Sequence, residues 1–205
     1  MNYFGHAAVA SWRGEPPAFV LGAMLPDFSS MCGARLAPGG DVAIEAGIAL
    51  HHASDAAFHS LAAFTGLMRE LDERLEHGGC AKGPRRAVAH IGVELLLDGV
   101  LVADETYRAA YSSALDVDPA GIGWRDPGDG DRFAQLFARL RDHGPPDDLR
   151  RVDSIVMRLS RVLARRPLLA PNAADLRAIH SALVEQQPRV TVAAETVMRG
   201  MRAAI

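Results

Sequence analysis

The chain has 205 residues, 49 % hydrophobic and 23 % charged, so it can bury a sizeable core and is too apolar for a disordered tail. Its 22 basic residues against 25 acidic ones leave a net charge of −3, which argues against general nucleic-acid binding. Two cysteines, Cys32 and Cys80, cannot build a disulfide framework, no apolar run reaches the ~18 residues of a membrane span, and the opening residues lack a charged signal-peptide region. The expectation is a cytoplasmic, globular protein that binds neither membrane nor nucleic acid.

Gly and Pro punctuate a series of helical segments. Met1 to about Trp12 is a short apolar piece with Asn2 placed to cap it, and Arg13-Gly14-Glu15-Pro16-Pro17 breaks it. Ala18 to Leu25 is a second piece, expected to stop at Pro26-Asp27, and residues 33 to 40 read as loop. From Asp41 to about Glu76 apolar residues return every three or four positions (Ile44, Ile48, Phe58, Leu61, Phe64, Leu67, Leu71, Leu75), a helical period. His77-Gly78-Gly79 closes that segment. A second long helix is expected from about Pro84, a favoured first-turn residue, to about Tyr111.

Residues 116 to 131, rich in Gly, Pro and Asp, read as a solvated connector; the acidic spacing does not match a calcium-binding EF-hand, and no Glu closes it. Further helices are expected at Arg132–Arg141 and Asp147–Arg166, the latter with arginines on its outer face. Asn172, with Asp175 three residues on, reads as the capping box of a last helix that Pro188 kinks or splits. Val190-Thr-Val is β-branched but too short to argue for a strand. The fold expected is a single all-α domain over 1–205.

The chemistry concentrates on the two long segments. His51, Asp55 and His59 lie at i, i+4 and i+8 on the first, and His90, Glu94 and Asp98 repeat that spacing on the second. Each four-residue step turns about 40°, so each triplet forms one stripe roughly 12 Å long. The second stripe runs through an otherwise apolar helix, where carboxylates are costly unless paired or bound to metal. Glu94 and Asp98 have two competing readings, ion pairs with Arg85, Arg86 or Arg161, or ligands. The shared spacing favours the ligand reading: two neighbouring helices turning their stripes onto one or two divalent ions. His6, in the apolar Asn2-Tyr-Phe-Gly-His6, and Asp27, after Gly22-Ala-Met-Leu-Pro26, either complete that site or serve capping and surface roles. His52 lies off the stripe, either supporting the ligands from behind or facing substrate, while His77, His143 and His180 sit by turns or on charged faces.

These segments resemble, in order, those of the acyl-carrier-protein phosphodiesterases, relatives of the HD-domain metal-dependent phosphohydrolases. Met1-Asn2-Tyr3-Phe4-Gly5-His6 is similar to that family's Met-Asn-Phe-Leu-Ala-His opening, and Gly22-Ala-Met-Leu-Pro-Asp27-Phe28 to its Gly-Asn-Leu-Leu-Ala-Asp-Phe. Ala46-Gly47-Ile48-Ala-Leu50-His51-His52-Ala-Ser-Asp55 resembles Ala-Gly-Ile-x-x-His-Arg-x-Ile-Asp; Glu94-Leu-Leu-Leu-Asp98 falls on Asp-x-x-x-Asp-His; Arg165-Arg166-Pro167 is similar to a Ser-Arg-Arg-Pro run. The resemblance implies an HD-like helical fold, a divalent metal (manganese first, with iron, zinc, nickel and magnesium as alternatives), and hydrolysis of the phosphodiester joining 4′-phosphopantetheine to acyl carrier protein. The chain departs from the pattern at His59 (an acidic residue in the family), Glu94 (Asp), Gly99 (His) and His52 (Arg), and His90 is additional.

Carried over, His6, Asp27, His51, Asp55 and Asp98 match family positions in type, with His59, His90 and Glu94 completing the metal set. Asp55 is the candidate proton acceptor, with His52 or His6 aiding the leaving group. Arg85 and Arg86 are candidates for gripping phosphate or an acidic carrier protein, although arginines near helix ends also serve as solubilising residues. Alternatives are an HD-like hydrolase of nucleotides or small phosphoesters, a non-catalytic metal-binding protein, and a metal-free helical interaction domain.

Overall fold

A computed structural model describes all 205 residues. The chain is all-helical: α1 (Tyr3–Ser11), α2 (Pro17–Cys32), α3 (Val42–Ser60), α4 (Ala62–His77), α5 (Lys82–Leu101), α6 (Glu105–Leu115), α7 (Pro127–His143), α8 (Val152–Leu163) and α9 (Ala173–Ala204), with short 3-10 turns at Pro119–Gly121 and Asp147–Arg150. No helix is long and apolar enough to cross a membrane. Contacts group these elements into two compact units, each discontinuous in sequence. The first comprises Met1–Ala57, Leu101–Pro146 and Ala204–Ile205, the second Phe58–Val100 and Asp147–Ala203.

Several boundaries differ from the periodicity reading, each for a local reason. The 41–76 segment is two helices, broken at Leu61, whose backbone turns extended (φ −66°, ψ 127°). No Gly or Pro marks the break. It lets Phe64 pack back on Phe58, ring centroids 4.2 Å apart. The 84–111 segment also divides, because Asp104 caps α6 by accepting from Thr106 N at 2.8 Å and Tyr107 N at 3.3 Å. Conversely, α2 runs through Pro26 and α9 through Pro188. A helix-interior proline forfeits one backbone bond and crowds the carbonyl four residues earlier. Complete burial of Leu25 and Phe28 around the first, and of Val190 after the second, offsets that cost. Val190-Thr-Val is accordingly helical. Helix α7 begins at Pro127, inside the expected connector, with proline at the first turn behind Asp126. Asn2 occupies the N-cap position of α1 without a capping bond from its side chain.

In the first unit α1, α2 and α6 share a core around Tyr3, Phe4, Phe28 and Tyr111, with ring centroids 5.4–6.2 Å apart. The loops flanking α3 and α7 are laced by backbone bonds, Ala37 N to Gly123 O at 3.0 Å and Arg125 N to Arg35 O at 2.9 Å. Helices α2 and α3 approach closely enough that only glycine fits. A methyl group at Gly47 would lie 2.1 Å from the Phe19 carbonyl oxygen, and one at Gly22 would lie 2.2 Å from that of Ile44.

The second unit buries Leu71, Leu75, Val88, Leu96, Ile155, Leu159, Ile179 and Leu183. Buried Gln186 ties α9 to α4, donating to the Leu67 carbonyl at 3.2 Å and accepting from Arg74 at 2.8 Å. The expected capping box forms: Asn172 Oδ1 accepts from Ala174 N and Asp175 N, and Asp175 returns a bond to Asn172 N at 2.9 Å. Asp175, 3 % exposed, also accepts from Ala81 N at 2.8 Å, fastening α9 to the start of α5. Its neighbour Cys80 is buried, and desolvation together with the Asp175 charge pushes that thiol up to about 12.

Burial raises the Asp175 carboxyl, but the Ala81 and Asn172 amides outweigh it and hold the group below its ordinary value. Its contribution is therefore present above about pH 4, the unfolded carboxylate value, and is lost as acid carries the pH below that. Asp175→Ala is expected to lower unfolding free energy by about 2 kcal/mol at pH 7, because the Ala81 and Asn172 amides both lose their charged acceptor. Urea melts at pH 7 and pH 3 check this, and the difference between wild type and variant should shrink at the lower pH.

Candidate metal centres

Two trios of metal-ligating side chains form, each wholly inside one unit: His6, Asp27 and His51 in the first, His59, His90 and Glu94 in the second. The α3 stripe is thus divided, His51 serving one trio and His59 the other. The three matched residues of each helix do not act as two intact triads.

In the first trio the ligand atoms lie within 4.8 Å of one another. Both imidazoles are held by their Nδ1 atoms. His51 Nδ1–H donates to the Ala23 carbonyl at 2.9 Å. Ser54 commits its hydroxyl proton to the His51 carbonyl at 3.0 Å, so its oxygen accepts from His6 Nδ1–H at 3.1 Å. Each ring is thereby fixed in the tautomer that leaves a lone pair on Nε2, the arrangement outer partners impose on metal-bound histidines. The rings stack with centroids 3.9 Å apart, and both residues are buried. Burial also holds the His51 imidazole below its ordinary value, against the weaker opposing pulls of the Ala23 carbonyl and Asp55. It is the neutral form that binds metal.

Around this trio, Asp55 Oδ1 stands 3.8 Å from His6 Nε2 and receives the Met1 ammonium at 2.8 Å; its side chain is 37 % exposed. His52 is exposed, its ring edge-on to His51 with centroids 5.3 Å apart. Ser54 and the Ala23 carbonyl were not singled out in the sequence. Ser54 was legible as a polar residue inside the His51–Asp55 stripe, whereas a backbone carbonyl carries no sequence signal.

In the second trio the contacts are shorter. His59 Nε2 lies 3.0 Å from His90 Nε2 and 3.2 Å from Glu94 Oε1, and His90 Nε2 lies 3.0 Å from the same oxygen. Phe64, placed by the break at Leu61, meets both imidazoles edge-on at 5.3 and 5.7 Å and fixes their tilt. Burial raises the Glu94 carboxyl, but the hydrogen bonds from His59 and His90 outweigh it and hold the group ionised, well below the usual range.

Of the other candidates, Asp98 is fully buried one turn beyond Glu94 and belongs to neither trio. Arg85 is engaged by two carboxylates, Asp72 at 3.2 Å and Glu76 more closely, and Arg86 is exposed on α5. Gly99 abuts the Leu149 carbonyl so closely that a Cβ would lie 2.3 Å from it, so no side chain fits there without moving the backbone.

No protein-family model, curated protein or solved structure matches the chain at a significant level.

Proposed function

We propose that the chain is a metal-dependent phosphoester hydrolase of the acyl-carrier-protein phosphodiesterase type. The observation that carries this reading is the first trio: two imidazoles whose Nδ1 atoms are tied to Ala23 and Ser54, presenting Nε2 lone pairs beside the Asp27 carboxylate. Two nitrogens and one carboxylate, without thiolate, suit manganese, iron, nickel or zinc better than magnesium. His6, Asp27 and His51 hold the ion, which when bound polarises a phosphate oxygen and lowers the pKa of water.

The remaining work falls to the chain. Asp55, 3.8 Å from His6 and partly exposed, accepts the proton of the attacking water. His52, exposed on the next helical position after His51, faces the substrate side and protonates the leaving oxygen.

The test is turnover by the purified chain with Mn²⁺, offered holo-acyl carrier protein alongside bis(p-nitrophenyl) phosphate and a nucleoside monophosphate. Release of phosphopantetheine supports the reading in full. Hydrolysis of the small esters alone supports the metallohydrolase chemistry with a nucleotide-type or small substrate. Stoichiometric metal with no turnover of any phosphoester overturns it in favour of a non-catalytic metal protein.

A further inference from the structure

The second trio poses a question that hydrogen bonding alone does not answer. Its three atoms form a nearly equilateral triangle with sides of 3.0, 3.2 and 3.0 Å. Each Nε2 carries either a proton or a lone pair. If both nitrogens donate to Glu94 Oε1, two N–H groups confront each other across 3.0 Å. If only one donates, the other nitrogen turns a lone pair toward a carboxylate oxygen. No assignment makes all three contacts attractive, whereas one cation above the triangle attracts all three atoms at once.

The dimensions agree with a cation. Ligand atoms about 2.1 Å from a metal lie about 3.0 Å apart at neighbouring octahedral corners and about 3.4 Å apart in a tetrahedron. The observed sides match one face of an octahedron. The remaining corners open outward: the His59 and His90 side chains are 31 % and 42 % exposed, while the Glu94 side chain is 11 % exposed. Glu94, the least exposed of the three, supplies a carboxylate oxygen as the anionic ligand.

We propose that His59, His90 and Glu94 form a divalent-metal site self-contained in the second unit, binding one borderline ion through three facial ligands and leaving the outer positions to water or an anion. The donor set favours Zn²⁺, Co²⁺, Ni²⁺ and Fe²⁺ over Mg²⁺ and Ca²⁺. It stands independently of the hydrolase reading, because His59 at the end of α3 and His90 and Glu94 on α5 share no residue with the first trio.

Equilibrium dialysis of the full chain against Co²⁺, followed by elemental analysis, tests it without reference to activity. Wild type is expected to hold two equivalents, and His59→Ala/His90→Ala one. Asp27→Asn/His51→Ala is expected to keep the equivalent that the first double variant lost. His90→Gln, a milder change at a partly exposed position, should weaken one equivalent by at least about 100-fold, beyond the 10–100-fold typical of losing an outer-shell partner, with far-UV circular dichroism unchanged. A single equivalent that survives Asp27→Asn/His51→Ala but not His59→Ala/His90→Ala also supports the site, while removing the basis of the hydrolase reading. Full wild-type occupancy in His59→Ala/His90→Ala, or loss of every equivalent in Asp27→Asn/His51→Ala, overturns it.

Discussion

Asp27→Asn and His51→Ala are each expected to lower phosphoester turnover by at least about 10³-fold, a loss of roughly 4 kcal/mol of transition-state stabilisation. On the proposed reading, each change removes one of three metal ligands from a site whose chemistry depends on the charge concentrated there. Asp27→Asn keeps the shape and removes the negative charge. His51→Ala removes a nitrogen and frees the Ala23 carbonyl it was tied to at 2.9 Å.

Ser54→Ala is the informative companion. It leaves all three ligands in place but releases His6 Nδ1, so His6 can adopt the tautomer that puts a proton on Nε2. Metal affinity should fall by about 10–100-fold, with turnover recovering when Mn²⁺ is raised. Steady-state assays across a Mn²⁺ series read all three variants. Turnover by Asp27→Asn within tenfold of wild type at saturating Mn²⁺ would sink the assignment.

Gly47→Ala is expected to destabilise the protein by about 3 kcal/mol or more, toward or past the upper end of ordinary overpacking, because the added methyl meets backbone and not a movable side chain. The Phe19 carbonyl oxygen would be 2.1 Å away and Ala23 N 2.8 Å away. Relief comes only by moving α2 away from α3. That movement also pulls the Ala23 carbonyl from His51, so any folded fraction should bind metal at the first trio more weakly. Gly22→Ala meets the Ile44 carbonyl at 2.2 Å and should behave alike. Urea unfolding with Co²⁺ binding on the same samples checks both effects. By contrast Gly66→Ala on α4, where a methyl meets nothing within 4 Å, should be neutral or slightly stabilising.

Much of the helical architecture was legible because helix period is a local property. Apolar spacing located the helical regions around α3–α4 and α5–α6, and Asn172 with Asp175 marked the start of α9. The errors arose where a local rule met a tertiary gain. Pro26 read as a stop and Pro188 as a kink or split, but residues beside them are fully buried, and core packing held the helices through the missing bonds. The break at Leu61 had no punctuating residue, because what it provides is the contact of Phe64 with Phe58, His59 and His90.

The candidate site divides in the same way. The residue types and their four-residue spacing were written in the sequence, since a helix places i and i+4 on one face wherever it lies. Composition and period alone determined that the chain is helical, that its histidines and carboxylates line two helices, and that Glu94 and Asp98 stand in apolar surroundings. Only the tertiary structure decided that His51 joins His6 and Asp27 while His59 joins His90 and Glu94, that Asp98 belongs to neither set, and that Arg85 is held by Asp72 and Glu76. The physical reason is range: spacing fixes which side chains share a face over a few ångströms of one helix, whereas the partner across that face is chosen by long-range packing, here by two glycines that let α2 and α3 approach and by an unmarked break that brings a phenylalanine beneath two imidazoles.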